Sequence, residues 1–77
     1  MNKRKRAVLS KAVWKLRDAK DDIESVKDLE ENAYENLTDN LKETLMGQKL
    51  ESYACDLSDI CDEIENIVSG VEEIIND

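Results

Sequence analysis

Residues 50–75 read LESYACDLSDICDEIENIVSGVEEII, and this stretch decides the fold. Leu50, Leu57, Ile64 and Val71 recur every seven residues. Tyr53, Ile60, Ile67 and Ile74 follow them by three places, and Ala54, Cys61, Val68 and Ile75 by four. In heptad terms these rows are a, d and e. Spacings of three and four collect all of them on one side of an α-helix. The stripe is three rows wide, broader than the two-row seam of a simple coiled coil, so the helix asks for more than one neighbour. The pattern predicts a helix over 48–75. Gly70 falls at g, off the stripe, where it costs about 1 kcal/mol of helix propensity relative to Ala.

Upstream, the segment 36–47 is less regular. Asn36, Thr38, Asp39 and Asn40 have short polar side chains that compete with helical backbone bonds. Thr38 suits the N-cap of a short helix over about 39–46, with Leu41 and Leu45 turned inward. Gly47 suits a left-handed position closing that turn. The alternative is a first helix that runs on through 36–40 with a kink. Further back, Leu9, Leu16 and Ile23 occupy a, and Ala12, Ala19, Val26 and Ala33 occupy d. Glu30 falls at a, and there the stripe shifts to Leu29, Ala33 and Leu37. Small residues at d point to a closely approaching partner helix. A first helix is predicted over 5–35.

Two helices of similar length joined by about a dozen residues describe an all-α fold. It is an antiparallel helical hairpin, one domain over 1–77, with a short helical connector and a basic arm at 1–6. A single hairpin covers only part of a three-row stripe, so the expectation is a homodimer packed as a four-helix bundle, or a hairpin that docks onto a partner. Its self-association core would be Leu50, Leu57, Ile60, Ile64, Ile67 and Val71.

Composition removes most chemistries. The 77 residues contain no His and no Pro, two Gly and two Cys. A His-based triad, a Cys/His zinc site and a glycine-rich phosphate loop are all excluded by residue type. Di-metal bundles need Glu-x-x-His, and EF-hand loops need a central Gly among alternating acids; neither pattern occurs. The expectation is no enzyme and no cofactor or metal. Cys55 at f and Cys61 at e point about 120° apart on one helix and cannot bridge there; both read as inert thiols, Cys61 half-buried. No apolar run approaches the ~20 residues of a membrane span, and charges interrupt the segment after the basic start too early for a signal peptide. A cytoplasmic protein is expected.

The net charge of −8 conceals an asymmetry. Residues 1–20 carry eight bases and one acid, whereas residues 21–77 carry three bases and eighteen acids. Three candidate surfaces follow. Lys3, Arg4, Lys5 and Arg6 could contact nucleic acid or a membrane surface, or could simply face the acids Glu72, Glu73 and Asp77 across the hairpin. Trp14, flanked by Lys11, Lys15 and Arg17, is a candidate contact patch built on Lys11, Trp14 and Arg17. Glu51, Asp56, Asp59, Asp62, Glu63 and Glu65 line the last helix as a rod of negative charge, either a solvated face or an imitation of a nucleic-acid backbone.

The stretch Val26 to Leu37, with Tyr34-Glu35-Asn36-Leu37 at its end, then Gly47 and the acidic helix from Leu50, resembles a family of small acidic helical proteins. They are encoded by Firmicutes and their phages or mobile elements. Thr38 stands where that family often has Pro, which softens the break after Leu37. The resemblance implies a mobile-element accessory protein and carries over no catalytic residues. With the acidic rod it suggests protein–protein binding in a bacterial host cell, directed at the protein itself and at a basic nucleic-acid-binding host protein. The alternatives are a purely structural bundle and a small protein that contacts nucleic acid through its basic arm.

Overall fold

The computed structural model describes residues 1–77 as three helices and no strand. Helix α1 spans Lys3–Glu35, α2 spans Asp39–Lys42 and α3 spans Leu45–Ile75. Each has a side-chain N-cap. Asn2 Oδ1 accepts from the Lys5 N–H at 2.8 Å, Thr38 Oγ1 from Leu41 at 3.4 Å, and Thr44 Oγ1 from Gly47 at 3.3 Å. The basic start is therefore not an arm. From Lys3 onward it forms the first turns of α1.

The connector departs from expectation in three ways. The short helix stops at Lys42, and α3 begins at Leu45 rather than 48, because Thr44 supplies a second cap. Gly47 has no positive φ. It is instead buried in the first turn of α3, where a Cβ would lie 2.5 Å from the Lys42 carbonyl oxygen. The residue is needed for close approach, not for a left-handed turn. Leu41 and Leu45 are exposed rather than turned inward.

α1 and α3 pack antiparallel. Arg17 meets Glu72 at 2.6 Å and Lys20 meets Glu65 at 3.0 Å. At the open end, Arg6 Nη2 donates to the Asp77 carbonyl oxygen at 3.0 Å. The seam of α3 consists of the a row, Leu50, Leu57, Ile64 and Val71, and the e row, Ala54, Cys61, Val68 and Ile75. Both rows are half-buried or buried. Val68 is fully buried, and Cys61, more enclosed than expected, sits with its Sγ 3.9 Å from the Lys20 carbonyl oxygen.

The matching seam of α1 corrects the heptad reading. Leu9, Leu16 and Ile23 do face α3. Their companions, however, are Val13, Lys20, Lys27 and Tyr34, four places on; of the expected d row Ala12 is half-buried, and Ala19, Val26 and Ala33 are exposed. Lys20 and Lys27 lay their aliphatic stems along the seam and carry their ammonium groups out to Glu65 and to Asp28 and Glu31. A pattern search that scores lysine as polar misses that row. Glu30 stays half-buried on the stripe, and Leu29 is exposed, so the stripe does not shift.

The result is a rod, 59 × 15 × 13 Å, with a radius of gyration of 17.4 Å. A compact chain of this length has a radius of roughly 11–12 Å. Only Val13, Cys61 and Val68 are buried apolar side chains.

Candidate interaction surfaces

Because each long helix turns its a and e rows toward the other, its d row lies off the seam. In an antiparallel pair the two d rows emerge on the same side. Ala12, Ala19, Val26 and Ala33 thus share a face with Tyr53, Ile60, Ile67 and Ile74. A groove lined by Val26, Glu30, Tyr53, Asp56 and Leu57 joins the two helices there. Tyr53, Ile60, Ile67 and Ile74 are 51%, 40%, 55% and 52% exposed. Met46 extends their row by one more heptad, and Val8 and Leu29 edge the face on α1; all three are exposed. Most of the large apolar side chains that this protein shows to solvent therefore lie on one face of the rod.

The residues expected to form a self-association core divide accordingly. Leu50, Leu57, Ile64 and Val71 are half-buried inside the hairpin, and only Ile60 and Ile67 are free to meet another chain. Sequence periodicity found the three rows but could not assign which two α1 would cover.

The opposite face is polar. It carries the Arg17–Glu72 and Lys20–Glu65 pairs and a groove lined by Ser10, Val13, Trp14, Arg17, Glu72 and Ile75. Trp14 is 70% exposed at its rim. Lys11 is exposed beside it, but Arg17 is turned toward Glu72, so the basic patch around the indole is thinner than the sequence suggests. The hydrogen bond to Glu72 raises the pKa of the Arg17 guanidinium, and the one to Glu65 raises that of Lys20. The same bond to Lys20 holds the Glu65 carboxyl below its ordinary value.

The acidic row is similarly divided. Glu51, Asp56, Asp59, Asp62 and Glu63 are exposed, whereas Glu65 is engaged by Lys20. Glu51 lies at the connector end, where its carboxylate raises the pKa of the neighbouring Tyr34 hydroxyl. Lys42 Nζ stands 5.3 Å from the centre of that tyrosine ring, a cation–π contact that ties α2 to the end of α1. Lys3, Arg4 and Lys5 are exposed on the first turn of α1, and Arg6 reaches the chain end at Asp77 rather than a carboxylate of Glu72 or Glu73. No helix is long and apolar enough to cross a membrane. Compared with family models, with curated proteins and with solved structures, the chain matches none of them.

Proposed function

We propose that the protein is a non-enzymatic binding module that works as a homodimeric four-helix bundle. It is read as an accessory protein of the phage or mobile-element type, acting in the bacterial cytoplasm through protein–protein contact. The observation that carries this reading is the exposed row Tyr53, Ile60, Ile67 and Ile74 beside Ala12, Ala19, Val26 and Ala33. A chain of 8.8 kDa folded compactly exposes roughly 4,800 Å². This hairpin exposes 5923 Å², with three buried apolar side chains to hold it. Self-association removes the surplus apolar surface and supplies the missing core.

The outward target is a basic, nucleic-acid-binding host protein. Asp59, Asp62 and Glu63 support this, since they stand exposed and unpaired on α3 while Lys20 and Arg17 across the seam are engaged by Glu65 and Glu72. In such a contact, carboxylates take the place of phosphates, which in duplex DNA come one per ~1.7 Å of axis.

Light scattering on the wild type at micromolar concentration should give twice 8.8 kDa. Ile60→Lys with Ile67→Lys should give 8.8 kDa with its helical circular dichroism retained. A helical wild-type monomer at these concentrations would overturn the dimer. Affinity purification from the host should recover a basic protein with the wild type and lose it with Asp59→Lys and Asp62→Lys. Equal recovery by both would remove the acidic surface from the mechanism.

A further inference from the structure

Two copies can bring their apolar faces together in two symmetric ways. A two-fold axis along the rod lays α1 on the partner's α3 and puts both connectors at one end. A two-fold axis across the rod lays α1 on the partner's α1, antiparallel, and puts the connectors at opposite ends. We infer that the second copy docks in the crossed arrangement, α1 against α1 and α3 against α3, with the axis passing between the levels of Ala19 and Val26. This arrangement presupposes the self-association proposed above and adds its geometry.

Charge makes the choice. The end of the rod holding the termini, residues 1–20 and 65–77, carries eight bases and five acids. The connector end, residues 21–64, carries three bases and fourteen acids. An axis along the rod stacks two strongly acidic ends within a Debye length of each other; an axis across it sets each acidic end beside a basic one. The contrast is sharpest on α1 itself. Its residues 3–20 hold eight bases and one acid, and its residues 21–35 hold one base and seven acids. Laid antiparallel on its own copy, each half meets the opposite sign, which offsets the like charge of α3, with one base and eight acids, laid on itself.

Register agrees. The contacts Arg17–Glu72, Lys20–Glu65 and Cys61–Lys20 set Ala12, Ala19, Val26 and Ala33 at about the levels of Ile74, Ile67, Ile60 and Tyr53. With the axis between Ala19 and Val26, Ala19 faces the partner's Val26 and Ala12 the partner's Ala33. On α3, Ile60 faces the partner's Ile67 and Tyr53 the partner's Ile74. Every d residue of both helices acquires a counterpart on a single axis. Alanines let the two α1 helices approach closely, and the larger α3 side chains fill the wider gap on their side.

The one acid on the apolar stripe of α1, Glu30, also comes level with a base. Glu30 is half-buried and makes no ion pair within its chain. The register brings to its level the partner's Lys15, which is exposed and equally unpaired. The face runs about 40 Å along α1 and 15 Å across. Two such faces bury on the order of 1,200 Å² in projection, enough for a specific interface.

Asp22, exposed at the edge of α1, falls beside the axis and so beside the partner's Asp22. The test is Asp22→Cys in a Cys55→Ser background, where Cys61 stays buried in the seam. Under mild oxidation the variant should convert mostly to a disulfide-linked pair of twice 8.8 kDa. A cysteine at Lys11, on the far side of α1, should give several-fold less. A dimer by light scattering that fails to link through position 22, yet links when Ala19→Cys is mixed with Ile67→Cys, would establish the axis along the rod and overturn the inference. A monomer by light scattering would instead overturn the self-association beneath it.

Discussion

Neighbouring residues on α3 have opposite duties. Val68 is fully buried against α1 and Ile67, beside it, is 55% exposed. Val68→Ala should therefore cost about 2 kcal/mol, read as a loss of roughly 8–16 °C in melting temperature. Ile67→Lys should leave the hairpin folded and act only on association. The two glycines separate in the same way. Gly70 has open space where a Cβ would point, so Gly70→Ala should stabilise by about 0.5–1 kcal/mol. Gly47→Ala should destabilise, because the added methyl meets the Lys42 carbonyl and backbone must shift. Chemical denaturation of both variants checks the opposite signs. The Lys20–Glu65 pair has a pH signature. The Glu65 carboxyl has a folded pKa below its ordinary 4.5, so its contribution is present above that value and is lost as pH falls through the lower folded value. Melting curves of the wild type and Glu65→Gln should differ at neutral pH and converge in acid. A gap that persists unchanged into acid would show that the pair does not report through Glu65.

At the scale of elements, capping sets the boundaries and the seam sets the faces. Thr44 begins α3 by accepting from the Gly47 N–H, so Thr44→Ala should cost about 1 kcal/mol and fray the first turn. Hydrogen exchange at residues 45–48 would report it. Both long helices, their direction and the Thr38 cap are legible in sequence, because periodicity and cap chemistry are local. The start of α3 is not, since Gly47 has two uses and only the close approach of Lys42 selects between them. The seam of α1 is not legible either. Lys20 and Lys27 occupy it with their methylene stems, and a lysine looks polar until acids are in place to receive its head group.

For the whole molecule, the excess of exposed apolar surface and the separation of charge between the two ends point the same way. The chain is too elongated to bury its own stripe, and its ends have opposite character. Concentration should therefore govern stability: the melting temperature should rise with protein concentration, as it does for any fold completed by a partner copy. Ile60→Lys with Ile67→Lys should abolish that rise while leaving a melting transition. Identical melting temperatures over a hundredfold range of wild-type concentration would argue that the hairpin stands alone.

The sequence by itself determined that this protein is helical, that it folds back once, and that its last helix has three apolar rows and a strongly acidic exterior. Those properties depend on spacing and residue type within one segment. Only the tertiary structure decided which two of the three rows the hairpin consumes, and so which row is left exposed. That choice depends on the side on which α1 lies, where Val13, Cys61 and Val68 are buried and the stems of Lys20 and Lys27 and the ion pairs to Glu65 and Glu72 line the seam. Glu65 and Glu72 are thereby engaged across the seam, while Asp56, Asp59, Asp62, Glu63 and Glu73 stay exposed without an ion pair, because their side chains point away from α1.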